Sequence, residues 1–332
     1  MELYGIKYLK NVKYANKKFY IDKAINNDIE DIDLYLDNYS FDDYENITCE
    51  KVYDTNPILY CKTLHSCYSI ALLEYVFTYY CIINDLKKKY SFKNDFELFI
   101  REKEYKLYPK QNNYLFDKSV NNYKYAWKTM SELITKNIIF ENTIKNTDSF
   151  IIKNLFIRDN DVKYVFIYTP RWYRSVNTPV ISLETINNNL KLFVNHVKKT
   201  LSITETTISG EILIIQRKKS PNNNGLRQIK YLENILDILS SKNIKYKIVY
   251  LEDISFKEQV SLFSSYKTIV AAHGSAITNS IFSTNTTIVE IFFNEKDNKT
   301  FKSICKAVDV NIVQLNNNNE KEITNYFNQI VI

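Results

Sequence analysis

Thr268-Ile269-Val270-Ala271-Ala272-His273-Gly274-Ser275-Ala276-Ile277-Thr278-Asn279 reads as an apolar strand, a tight glycine turn and the opening of a helix. A second apolar run follows at residues 287–293. The chain has only 4 Gly and 3 His in 332 residues, and one of each stands side by side here. A composition so sparing of glycine should place it where no other residue will do. A strand, a glycine turn and a helix start aim unpaired backbone N–H groups at an anion, usually a phosphate.

Outward from this stretch the chain alternates regularly. Residues 211–216 read as a buried strand and 227–240 as an amphipathic helix, with Ile229, Leu232, Ile235, Leu236 and Leu239 on one face. Residues 245–251 form a strand. Residues 255–264 form a helix opening with Ser255 and Glu258 in capping-box spacing. After the strand at 268–272, a short helix at 276–282 and the strand at 287–293 come a helix (300–308), a strand (311–315) and a helix (321–330). Strands alternating with helices on short connections predict a parallel sheet with helices on both faces, a Rossmann-like domain.

The first half is less regular. Helices are expected at 66–88, 119–136 and 182–200, and strands near 48–53, 137–140, 150–156 and 162–168, in a second parallel sheet preceded by an irregular extension. The polar stretch at 201–210, ending in Gly210, marks the boundary between a domain of residues 1–205 and one of residues 206–332. Two α/β domains of comparable size place a ligand cleft between them.

Composition sets the class. The chain is 45% hydrophobic and 25% charged, as globular proteins are. Its 27 Tyr and its Asn and Lys runs match the drift of an AT-rich genome. Lys+Arg 44 against Asp+Glu 38 gives +6, spread along the chain, less basic and less clustered than a nucleic-acid footprint. The five cysteines, Cys49, Cys61, Cys67, Cys81 and Cys305, are odd in number and lack metal-ligand spacing, so reduced thiols are expected. No signal peptide is apparent. Residues 64–83 are mostly apolar, but Glu74 in their midst argues for a buried helix, ended by Asn84-Asp85 and Lys87 to Lys89, over a membrane span. A cytoplasmic location is expected, in a microbe or in the host cell of a large virus.

Several elements, taken in order, resemble glycosyltransferase family 61. They are Ile214-Ile215-Gln216-Arg217-Lys218, Leu226-Arg227-Gln228-Ile229, Ser255-Phe256-Lys257-Glu258-Gln259, Ala272-His273-Gly274-Ser275-Ala276-Ile277-Thr278-Asn279, and Ile288-Val289-Glu290-Ile291-Phe292. Ser275 stands where the family usually has Ala. Leu64-His65 echoes a further family element without its Trp. The resemblance implies a GT-B architecture, two Rossmann-like domains facing each other across a cleft. It also implies inverting transfer of a sugar from a nucleotide sugar, with no obligatory metal and no other cofactor. The donors of known members include UDP-xylose, UDP-arabinose and UDP-N-acetylglucosamine, and a UDP-sugar is expected here. Residues 206–332 would bind the donor nucleotide, and residues 1–205 a glycan or glycoprotein acceptor.

The residues themselves support parts of this. A departing nucleoside diphosphate gains negative charge, which donors placed in advance must neutralise. Arg217 and Arg227 offer forked, permanently charged donors, although an Arg at a strand end is also often a solvated surface charge. His273, Gly274 and Ser275 form the turn; His273 either donates to the ligand or packs within it. Glu290 interrupts an apolar strand at the end where ligands bind, in reach of a ribose. Asn279 and Gln259 either touch ligand or brace the turn and its neighbouring helix. The base that deprotonates the acceptor is not legible; His65 is the first candidate, against a packed histidine at a helix start. Asp31-Ile32-Asp33 and Asp159-Asn160-Asp161 fit the Asp-x-Asp pattern of metal-dependent transferases, but they read as a helix face and a hairpin turn. The rival functions are a degenerate nucleotide- or glycan-binding module of the same fold and, less readily, a phosphate-backbone binder.

Overall fold

The computed structural model describes residues 6–27, 36, 38–62, 71–92, 95–101, 132–140, 143–158, 183–204, 206–218, 228–293 and 300–330. The expected strand at 162–168 and nearly all of the expected helix at 119–136 lie outside them.

The first half builds one sheet from β1 (Ile6–Ala15), β2 (Lys18–Tyr20), β3 (Tyr39–Ser40), β4 (Lys51–Tyr53), β5 (Ile58–Lys62), β6 (Glu97–Arg101), β7 (Ile138–Phe140) and β8 (Ser149–Arg158). Its order is β3-β2-β1-β8-β5-β6-β7, with β4 paired to β8. The expectation of a purely parallel sheet is corrected here. β1 runs antiparallel to both β2 and β8, while β4, β5, β6 and β7 pair in parallel. The hairpin between β1 and β2 turns on Asn16 and Lys17, both left-handed (φ 50 and 58), the backbone of a tight two-residue turn. β1 had no alternating signature because Leu9, Val12 and Tyr14 share one buried cluster at spacings of three and two. Asn11, left-handed at φ 50, absorbs that break in the strand's period.

A π-helical turn at Ala71–Val76 leads into α1 (Phe77–Tyr90), and α2 (Leu183–Thr200) packs against it. α1 runs through Lys87, Lys88 and Lys89, whose charges suit a helix C-terminus, and ends at left-handed Ser91 (φ 52), close to the expected end at residue 88. Among the described residues no helix is long and apolar enough to cross a membrane.

The second half is a five-stranded sheet of β9 (Ile208–Gln216), β10 (Lys245–Tyr250), β11 (Tyr266–Ala272), β12 (Thr287–Phe292) and β13 (Asn311–Asn316). Every pairing is parallel and the order is β10-β9-β11-β12-β13. α3 (Leu232–Ser241) and α6 (Glu320–Gln329) cover one face, where Ile235, Leu239, Ile323 and Phe327 meet Ile212, Ile214, Val270 and Val289. α4 (Phe256–Ser265), a 3-10 helix (Ser275–Phe282) and α5 (Thr300–Ala307) cover the other, against Leu213, Ile215, Ile269 and Ala271. Burial on both faces is why these strands are nearly unbroken apolar runs. The apolar cluster on the second face continues into α1, α2 and the first sheet through Val76, Phe193, Leu98 and Phe156. The two sheets therefore share a core.

Ser255 caps α4 in the expected reciprocal box: its hydroxyl accepts from the Glu258 N–H, and its own N–H donates to Glu258 Oε2 at 2.8 Å. Those hydrogen bonds hold the Glu258 carboxyl below the usual carboxylate range. Two helix readings are corrected. The predicted helix at 227–240 begins only at Leu232, because side chains capture the backbone before it: Ile229 N–H donates to Gln216 Oε1 (3.1 Å) and Lys230 N–H to Asn317 Oδ1 (3.0 Å). The segment after Gly274 is a 3-10 helix, closed by Ile277 N–H on the Gly274 carbonyl at 3.0 Å. Cys49, Cys81 and Cys305 are free thiols. Burial raises Cys81 and pushes Cys305 up to about 12, so both stay protonated and inert at neutral pH.

Candidate functional site

Counted within its own sheet, the second half has strand order 2-1-3-4-5. The order reverses between β9 and β11, and the segments that follow them leave toward opposite faces, α3 to one and the 3-10 helix to the other. In such sheets a crevice opens at the carboxyl ends of those two strands, and ligands bind there. Arg217 follows the last residue of β9 and the His273-Gly274 turn follows β11, so both border this crevice.

Gly274 has φ 151 and ψ −177, a region that essentially only glycine occupies. There is a second reason for glycine. A Cβ at this position would lie 1.9 Å from Arg217 Nη2 and 2.6 Å from its Cζ. The guanidinium thus rests directly against the turn, in space that only the missing side chain leaves. The backbone of Arg217 is held from both sides. Its N–H donates to the buried Gln216 Oε1 (2.9 Å), and its carbonyl accepts from Gln228 Nε2 (2.7 Å). A forked cation and the opening of the 3-10 helix at Ser275 therefore stand side by side, which is suitable chemistry for an oxyanion. Lys218, next along, pairs with Asp253 at the rim.

His273 projects from the same turn, its N–H bonded to the Ile291 carbonyl at 2.8 Å. Its Nδ1 lies 2.5 Å from Glu290 Oε1, and Phe301 meets the ring edge-on with centroids 5.1 Å apart. Glu290 is 0% exposed, and its second oxygen accepts from Gln314 Nε2 at 2.7 Å. The structure thus places Glu290 behind His273, with both of its oxygens engaged by protein. Gln259 and Asn279 come together as well: Asn279 Nδ2 donates to Gln259 Oε1 at 3.0 Å, and Gln259 Nε2 donates to the Leu251 carbonyl at 3.0 Å. Asn279 is buried, so this pair ties the 3-10 helix to α4 and to the end of β10.

Arg217, His273, Gly274 and Ser275 therefore gather at the crevice, while Glu290, Gln259 and Asn279 stand behind it. Arg227 and His65 lie outside the described residues, as do both Asp-x-Asp segments. Among the described residues no three His, Cys, Asp or Glu gather as a metal-binding group. Gln216 and Gln314 escaped the sequence reading. Gln314 had a signal: it is the polar interruption of β13 in direct register with Glu290, the polar interruption of β12.

Among known families, the model described as Glycosyltransferase 61 matches residues 98–289, more than half of the chain. The match takes in Arg217 and the His273-Gly274 turn and ends just short of Glu290. No curated protein matches the chain.

Proposed function

We propose, for a chain that belongs to glycosyltransferase family 61 and is a glycosyltransferase, that the crevice between β9 and β11 binds the diphosphate of a UDP-sugar. The observation that carries this reading is the Arg217 guanidinium seated on Gly274 at the point where the strand order reverses. Residues 206–332 then form the donor side and residues 1–205 the acceptor side of a GT-B-type enzyme, the acceptor being a glycan or protein-linked hydroxyl.

The transfer proceeds with inversion. The acceptor oxygen forms its bond to the anomeric carbon from the face opposite the diphosphate. The bond from that carbon to the phosphate oxygen breaks, and its electron pair leaves with the UDP. Arg217, Arg227 and the N–H groups of the turn neutralise the charge that accumulates on the diphosphate; being fixed in advance, they need little reorganisation as the bond breaks. The guanidinium charge supplies counter-charge without a metal ion. A base on the acceptor side, for which His65 stands as the candidate, takes the acceptor proton.

A thermal-shift titration tests the donor site. UDP at about 100 times its dissociation constant should stabilise the protein by roughly 2.7 kcal/mol, and Arg217→Ala should remove most of that shift. If no nucleoside diphosphate raises the melting temperature, or if Arg217→Ala responds as strongly as wild type, the donor site is not here.

A further inference from the structure

We infer that Glu290 and Gln314 are positioning residues, a relay that orients His273 so that its Nε2 meets the donor; this rests on the donor-site reading above. β12 and β13 are adjacent and parallel, with Glu290 opposite Gln314. The Gln314 amide donates to Oε2 and anchors the carboxylate, leaving Oε1 for His273 Nδ1 at 2.5 Å. A carboxylate only accepts, so the proton of this contact sits on Nδ1. Phe301 fixes the ring from its side. Among the described residues no hydrogen bond engages Nε2, and the His273 side chain is 23% exposed against 1% for Glu290, while Gln314 is half-buried on β13.

The consequence is a division of labour. Glu290 is sealed from the crevice and acts through His273. The ring cannot swing to present Nδ1 without giving up its bond to the carboxylate. Orienters of this kind set which ring nitrogen faces the chemistry. Gln314 does the same for Glu290 one step further back.

The imidazole nitrogens report this directly, because nitrogen-15 resonances separate a protonated ring nitrogen from an unprotonated one. The chain has only 3 His, so His65→Gln and His196→Gln leave His273 as the sole signal. The relay predicts that neutral His273 carries its proton on Nδ1, against the preference of free histidine for Nε2. In Glu290→Gln the Nδ1-protonated form should give way to the Nε2-protonated one. UDP affinity should fall about tenfold, the scale of one charge-assisted hydrogen bond, although Glu290 itself is out of the ligand's reach. Gln314→Leu leaves the carboxylate in place to accept from Nδ1, so the tautomer should hold there while UDP affinity falls by less than in Glu290→Gln. Glu290→Ala supplies the tautomer test if Glu290→Gln does not fold. A His273 tautomer unchanged in the Glu290 variants overturns the relay. A changed tautomer with unchanged UDP affinity overturns the assignment of Nε2 to the donor. Failure of the wild-type protein to bind any nucleoside diphosphate counts against the donor site instead, and the tautomer result stands apart from it.

Discussion

Gly274→Ala should cost UDP affinity about tenfold to hundredfold while leaving the protein folded. Two physical effects combine. Alanine at φ 151 and ψ −177 occupies a region reserved for glycine, at about 1–3 kcal/mol, which lowers the melting temperature by several degrees. Its Cβ would also sit 1.9 Å from Arg217 Nη2. The guanidinium is the mobile end of a long side chain, so it yields before the backbone does. The fold therefore survives, and the cation leaves the crevice with its charge-assisted bonds to phosphate. Gly210 is the natural control. It too has positive φ (+76), but nothing lies within 4 Å of the Cβ it would gain. Gly210→Ala should lose stability and keep UDP affinity. Because Gly274→Ala acts through Arg217, it should add little further affinity loss in an Arg217→Ala background. A full, independent loss there would contradict the account, as would unaltered affinity in the single variant.

His273→Ala should destabilise the protein by about 2 kcal/mol, the scale for leaving a buried acceptor without its hydrogen-bond donor. The reason lies in what remains: a carboxyl group that is 0% exposed, with Gln314 as its other recorded partner. Adding Glu290→Gln should return much of that loss, since a neutral amide costs less than a carboxylate to leave buried without a donor. The cavity left by the imidazole is common to both variants, so their difference isolates the stranded carboxyl. Denaturant melts of wild type, His273→Ala and His273→Ala/Glu290→Gln decide the matter. A double variant no more stable than His273→Ala would mean that the contact at 2.5 Å contributes nothing to the fold.

What was legible in the sequence depended on range. β11 and β12 were plain because both faces of the sheet are buried, and continuous apolar runs survive in the one-dimensional record. The Ser255-Glu258 box was plain because it closes within one helical turn. The glycine turn was visible through scarcity alone, but its partner was not: Gly274 and Arg217 are far apart in sequence and meet only once β11 lies beside β9. Glu290 stood out as a carboxylate in an apolar strand, yet its partners were not legible, because its two oxygens meet side chains from distant positions, His273 and Gln314. The start of α3 was misplaced because tertiary acceptors, Gln216 and Asn317, outbid the helix for two backbone N–H groups. β1 was missed because Asn11 breaks its period, and with it went the mixed character of the first sheet.

The central claim is that the end of β9 and the turn after β11 hold the donor's diphosphate. A crystal structure of the protein with UDP tests it most directly. The account predicts both phosphates in the crevice, hydrogen-bonded to the Arg217 guanidinium and to the N–H groups that open the 3-10 helix at Ser275, with His273 Nε2 facing the ligand. UDP bound elsewhere, with Arg217 still resting on Gly274 and no phosphate beside it, would contradict it.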